Sequence, residues 1–199
     1  MDVPIWNLTR TTYGRRFYEF LESRGLKLSL MHLYRKDLGA EPPGEPPAGV
    51  SLSVHEAATV PEWPDEQFES LAAEDHVVLA RLGKTDVDDG KVVGWVFLTT
   101  DRAKHVEPLE TTVRFDGVYV WRLWVEPEYR ERGIASALVA EGTRFAREEL
   151  GCATATAFIA VDNQPSRWVF ESRGFTEATP ARYVGLFGWE HRSELLRRT

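Results

Sequence analysis

Arg130, Arg132 and Gly133 stand together in the run Arg130-Glu131-Arg132-Gly133-Ile134-Ala135, immediately ahead of an amphipathic segment. Residue types in this order suit the binding of an anion. The spacing predicts a helix over 134–150, with Ile134, Leu138 and Phe145 on one face, Gly142 between them, and Glu141, Arg144, Glu148 and Glu149 as polar surface. A helix start leaves backbone N–H groups without partners, and those groups together with the positive end of the helix dipole attract phosphate. Gly133 lets the backbone approach such a guest, and the two arginines add charge.

The elements around this loop follow from the pattern. Val118–Val125 reads as an apolar strand, and Glu126-Pro127-Glu128-Tyr129 as the turn after it. Beyond the helix, Ala153–Val161 reads as a second strand. Pro165–Arg173 reads as a short helix, started by Pro165 and stopped at Gly174.

Arg130-x-x-Gly133-x-Ala135, followed by Asn163, Ser166, Phe170 and Gly174-Phe175, resembles the GNAT acetyltransferase superfamily. The resemblance spans 49–190 and is most specific over 118–175. It implies an α/β fold (mixed α+β): a central, mixed but mostly antiparallel sheet flanked by helices, here with an N-terminal helix-strand extension. It implies a splayed pair of strands whose gap takes the arm of acyl-CoA. Leu123, Trp124 and Val125 would face that arm. Arg130, Glu131, Arg132, Gly133, Ile134, Ala135 and Ser136 would hold the pyrophosphate, and Asn163, Ser166 and Phe170 complete the implied cofactor contacts. Ala135 stands where glycine is commoner.

The implied activity is acyl-CoA-dependent N-acyl transfer, with acetyl-CoA as co-substrate and a primary amine of a small molecule or peptide as acceptor. The alternative is a non-catalytic acyl-CoA-binding or sensing module. The departure that keeps it open is Phe170, where the resemblance calls for a tyrosine that protonates the leaving thiolate. The strand before the loop also lacks the carboxylate many relatives place there; Asp116 and Glu126 lie only at its edges. Tyr119, Tyr183 and Glu126 remain as candidate acid–base residues, and His105 in a polar stretch as a further candidate base. A P-loop is excluded because the loop lacks a Gly-Lys-Ser/Thr ending, and a dinucleotide fold because it lacks the Gly-x-Gly start.

Composition sets bounds. The chain has 199 residues, enough for one domain with an extension, and a net charge of −7, which argues against nucleic acid as a partner. Cys152 is the only cysteine, so no intrachain disulfide can form, and a buried apolar role is expected of it. The five histidines show no zinc spacing, and Asp86-Val87-Asp88-Asp89-Gly90 lacks the full calcium-loop pattern. No metal is expected. Neither a membrane span nor a signal peptide is read, so cytoplasm is the expected compartment, with no membrane partner; monomer and homodimer both stay open.

The remaining chain divides into 1–41, a helix-strand extension; 42–49, a proline-rich linker; and 50–199, the acyltransferase-like domain. Tyr13, Phe17, Phe20 and Leu21 recur at helical spacing, and Leu26–Leu38 alternates as a strand whose expected partner is Tyr183–Trp189. A strand is expected at Val50–Val54, a helix at 61–74, and a strand pair at His76–Leu82 and Lys91–Thr99. Residues 101–117 hold no strong period and read as a mobile loop. Phe175–Glu177 and Tyr183–Trp189 read as a closing hairpin. Trp121 and Trp124, an odd number of residues apart on one strand, are expected on opposite faces.

Overall fold

The computed structural model describes residues 26–39, 44–59, 66–83, 90–186 and 189–192. The helix expected around Tyr13–Leu21, the start of the 61–74 helix and most of the 86–90 turn lie outside them.

One sheet organises the fold. Its strands are β1 (Leu26–Asp37), β2 (Val50–Glu56), β3 (His76–Leu82), β4 (Val92–Thr99), β7 (Val118–Val125), β8 (Thr154–Ala160), β9 (Thr176–Leu186) and β10 (Trp189–Arg192); the short pair β5 (Ala103–Val106) and β6 (Thr111–Arg114) lies apart. The order is β10-β9-β1-β8-β7-β4-β3-β2. Every pairing is antiparallel except β7 with β8. Those two strands are joined by α1 (Ile134–Glu148), and α2 (Gln164–Ser172) follows β8. This is the expected single βαβ unit inside an antiparallel sheet.

Alternation decides the layers. On one face Tyr34, Val78, Ala80, Val96, Leu98, Val118, Val120, Ala157 and Ile159 are buried in one cluster with Ile134, Leu138 and Phe170. Ile134, Leu138 and Gly142 are buried as their spacing predicts, and Phe145 packs at the margin. Gly142 lets α1 lie close to the sheet: a Cβ there would meet the end of the Leu98 side chain at 3.2 Å. On the other face Met31, Val106, Leu109, Val113, Tyr119 and Ala181 form one cluster, and Phe68, Val77, Leu79, Trp95 and Phe97 another.

Several expectations change. The stretch 101–117 is a hairpin rather than a loop: β5 and β6 are joined by a short 3-10 turn over Glu107–Leu109, and Val106, Leu109 and Val113 bury against the sheet. So few apolar positions give no readable period. The described end of the 61–74 segment is a 3-10 turn, Glu66–Ser70, not a helix continuing to 74. What replaces the helix is Asp75, fully buried: its carboxylate accepts from the Ala72 N–H at 2.9 Å, from Thr99 Oγ1 at 2.8 Å and from Arg102. A buried carboxylate is stable only when so paired. The closing hairpin is also redrawn. β9 runs unbroken through Pro180 to Leu186 and turns into β10. A ladder irregularity opposite Leu33/Tyr34 lies just before Pro180, where a residue without an N–H is tolerated.

β1 lies in the sheet interior. It pairs with β9 from Leu26↔Leu186 to Arg35↔Thr176, which includes the expected Tyr183, and also with β8 from Met31↔Ala160 to Asp37↔Thr154. A strand with a single partner was expected; two partners are found. The proline-rich segment after it rests on α1. The Gly44 N–H donates to Glu141 Oε2 at 3.3 Å, and a Cβ on Gly44 would meet the Ala137 carbonyl oxygen at 2.3 Å.

Removing residues 1–37 would strip hydrogen-bond partners from both β8 and β9 and expose two strand edges. Such a variant is expected to aggregate and to lose its cooperative thermal transition, as followed by size-exclusion chromatography and calorimetry. A monodisperse variant with an unchanged melting temperature would contradict the interior placement of β1.

Candidate active site

The site begins where β7 and β8 part. They are in register only at Val118↔Ala155 and Tyr119↔Thr156. The point of contact is pinned from the chain before β7. Thr154 Oγ1 donates to the Asp116 carbonyl, and Gly117, at φ 92°, lies so close to β8 that a Cβ would meet the Thr154 carbonyl oxygen at 2.2 Å. Beyond Tyr119 the strands diverge.

A β-bulge sits just past the divergence. Phe97 pairs with Trp121 and Trp95 with Trp124, so Arg122 and Leu123 together oppose Val96. Arg122 takes φ 51°, the left-handed region that non-glycine residues seldom adopt. The extra residue resets the alternation. Trp121 and Trp124 therefore fall on the same face, against Phe97 at 5.0 Å and Trp95 at 6.1 Å between ring centroids, rather than on opposite faces as simple alternation requires. Leu123 turns to the helix face.

The loop after β7 closes one end of the gap. Pro127–Tyr129 forms a 3-10 turn, Glu131 has φ 60°, and Gly133, at φ 83°, is the N-cap of α1 with no side chain capping the helix. The first amides of α1 are thus free of a side-chain acceptor, as an anion site needs. Arg130 is aimed by two contacts: its Nε donates to the Val125 carbonyl at 2.9 Å, and its guanidinium lies 4.9 Å from the Trp124 ring centroid. Arg132 lies over Tyr129 at 5.4 Å.

Together these elements line a cleft of about 670 Å³, within the usual range for small-molecule sites. Of the residues expected at the cofactor, Leu123, Trp124, Val125, Arg130, Glu131, Gly133, Ile134, Ala135, Ser136, Asn163 and Ser166 all line it. Arg132 and Phe170 do not. Tyr129, Pro165, Trp168 and Val169 line it without having been expected. Asn163 also caps α2, its Oδ1 accepting from the Ser166 N–H at 3.3 Å. Arg173 is another residue the sequence did not single out. Its Nε donates to Ser136 Oγ at 2.6 Å and so brings the cationic side chain at the C-cap of α2 to the start of α1.

The acid–base candidates are scattered. Tyr119 is 6% exposed, on the hairpin-covered face, stacked on Phe115 at 4.1 Å, and burial pushes its hydroxyl well above the ordinary tyrosine range. Glu126 is half-buried at the loop end of β7, its N–H bonded to the Val93 carbonyl, and is outside the cleft lining. Tyr183 is held in β9 between Ser29 and Arg192 by its backbone. His105 stands on β5, half-exposed, near Glu110 at 3.9 Å. Cys152 is buried, and that burial raises its thiol's pKa, as befits a packing residue.

Phe170 lies in the core, 3% exposed, with its ring edge-on to Phe175 at 4.9 Å. The tyrosine that does touch α2 is Tyr34, fully buried on β1: its hydroxyl donates to Glu171 Oε1 and accepts from Arg167 Nε, both at 3.0 Å. Its pKa is raised, chiefly by burial.

Comparison with known proteins agrees with this architecture. A family model described as the acetyltransferase (GNAT) family matches residues 50–175. The chain belongs to the GNAT acetyltransferase family. A search of curated proteins finds no match. Among solved structures, a GCN5-related N-acetyltransferase from Kribbella flavida superposes with a TM-score of 0.54 at 19% identity, over 86% of this chain and 63% of that one. One from Sphaerobacter thermophilus gives 0.52 at 16% identity, over 92% of this chain and 56% of that one. A Drosophila protein gives 0.55 at 18% identity, over 87% and 57%. At these identities the likeness is one of fold, and the chain spans less than two thirds of each of these structures. Among the described residues, no helix is long and apolar enough to cross a membrane, and no group of three or more histidine, cysteine, aspartate or glutamate side chains is placed to hold a metal ion.

The surroundings of Phe170 set an expectation for Phe170→Tyr. The added hydroxyl enters an apolar cluster, so the variant is expected to lose about 1–3 kcal/mol of stability and to gain no turnover, read by thermal melting and by thiol release. A gain of about a hundredfold or more, the scale of restored acid catalysis, would show instead that the ring edge reaches the reacting sulfur.

Proposed function

We propose that this chain is an acyl-CoA-dependent N-acyltransferase, transferring an acetyl group from acetyl-CoA to a primary amine of a small molecule or peptide. The observation that carries the reading is the continuity of the cleft: an open β7 edge at Leu123–Val125 leads into the uncapped start of α1. An extended amide-bearing arm can pair with the first, and a pyrophosphate with the second. Bound CoA supplies the thioester, whose carbonyl carbon is the electrophile.

The chain's part is to hold and to align. Backbone groups of Leu123–Val125 receive the arm as an added strand. The amides of Ile134, Ala135 and Ser136, with Arg130 and Arg173 nearby, take the phosphate charge. A fixed arm brings the thioester to the Leu123 end of the gap, where an amine nitrogen forms the new C–N bond as the C–S bond breaks. Holding two reactants in place supplies a large share of such a rate. The amine must arrive unprotonated and the thiolate must gain a proton. With Phe170 in the core and Tyr119 outside the cleft, water is the acid best suited to that second step.

The same two placements favour a second reading, a non-catalytic acyl-CoA-binding or sensing module. Incubation with acetyl-CoA and a panel of amines, with free thiol measured, separates the two. Release that depends on an amine is expected; binding of acetyl-CoA with no release on any amine would favour the module. Residues 1–41 are read as an extension built into the core through β1, and cytoplasm remains the proposed compartment.

Gly133 tests the anion site. A Cβ there meets nothing within 4 Å, so the obstacle to substitution is its φ of 83°. Gly133→Ala is expected to destabilise by about 1 kcal/mol, the usual cost of a left-handed alanine, and to weaken CoA binding modestly. Gly133→Glu adds a carboxylate at the helix start and is expected to abolish binding in calorimetry. Unchanged affinity in a folded Gly133→Glu variant would remove the cofactor reading.

A further inference from the structure

The cleft ends on one unshielded aromatic ring. Trp168 is 64% exposed, the one large apolar side chain left so exposed among the described residues. It sits on α2, two residues before buried Phe170, and lines the same cleft as Ser136 and Asn163. Leaving an indole in water forgoes the gain from burying a large apolar surface. The other tryptophans of the described core, Trp95, Trp121 and Trp124, all find aromatic neighbours. Trp168 has none among the described residues, and it stands at the rim of the site.

Resting on the acyl-CoA reading above, the geometry points to a role for that ring: we propose that Trp168 is the stacking platform for the adenine of the donor. The donor is then a free, nucleotide-bearing thioester rather than a thioester carried on a protein-bound phosphopantetheine. With the arm along β7 and the pyrophosphate at the start of α1, the wall of the cleft left for the nucleotide is α2, which lines it with Ser166, Trp168 and Val169. There α2 supplies a cation to the loop through Arg173 and an exposed π face in Trp168. A purine stacks on an indole irrespective of its hydrogen-bonding edge, and such a contact is strong enough to govern donor choice.

The test compares wild type, Trp168→Ala and Trp168→Phe by calorimetry against three probes: CoA, adenosine 3′,5′-bisphosphate and 4′-phosphopantetheine. Because Trp168 is exposed, thermal melting is expected to show both variants folded like the wild type. Trp168→Ala is expected to weaken CoA and the bisphosphate by the same factor, about 5- to 150-fold, the usual range for a lost base–aromatic stack. Phosphopantetheine is expected to bind all three proteins alike, and Trp168→Phe to keep most of the affinity for CoA. Undiminished CoA affinity in Trp168→Ala overturns this inference alone, as does an equal loss for phosphopantetheine, which would make the ring a wall for the arm. A wild type that binds neither CoA nor phosphopantetheine overturns the acyl-CoA reading itself.

Discussion

Backbone N–H and C=O groups that leave a ladder must find other partners, and β7 leaves its ladder with β8 after Tyr119. The sheet tolerates this because both strands are held on their far sides. β4 carries β7 up to Val125, and β1 carries β8 along its whole length. The opening is therefore a wedge between two halves of the sheet, each paired on its far side. At its closed end Thr154 and Gly117 press the strands together; at its open end α1 begins without a cap. Strand edge and helix start are left open at the same place, and on the proposed reading one extended, phosphate-bearing guest answers both.

What the residues revealed beforehand tracks how local the physics is. The loop at 130–136, the helix after it and Asn163 were legible because a glycine with positive φ, a helical period and an N-cap are set by nearest neighbours. Eleven of the thirteen residues expected at the cofactor line the cleft. The two that do not, Arg132 and Phe170, stand off the lining for different reasons. Arg132 follows the ring of Tyr129, a contact no spacing announces. Phe170 follows the inner face of α2, which its own apolar character already suggested.

Non-local features were hidden. The bulge at Arg122–Leu123 exists because β4 offers one residue where β7 offers two, and neither strand alone signals it. Its consequence reaches far, since it puts Trp121 and Trp124 on one face and gives Leu123 to the cleft. The hairpin β5–β6 was hidden for a related reason: Val106, Leu109 and Val113 gain their burial only against Met31, Tyr119 and Ala181 from three other strands. Trp168 carries no signal in its spacing, and its 64% exposure is what separates it from Trp95, Trp121 and Trp124.

β1 links the segment ahead of the matched family region to the wall of the site. Tyr34 is fully buried, yet its hydroxyl is spent on α2, bridging Arg167 and Glu171. At the other end of α2, Arg173 is bonded to Ser136 in the first turn of α1. A nine-residue helix is marginal by itself, so α2 owes its placement to these ties, to the Arg167–Glu177 ion pair and to Phe170 in the core. The first tie comes from outside residues 50–175. A fragment cut to the family region would keep the loop and the α1 start but would lose the strand that pairs with β8 and the hydroxyl that steadies α2. The wall bearing Asn163, Ser166 and Trp168 would then rest on Phe170, the Arg173–Ser136 contact and the backbone bond from Asn163 to Ala160. In this chain the shape of the cleft is thus a property of the extended sheet, with β1 as much a part of it as β7.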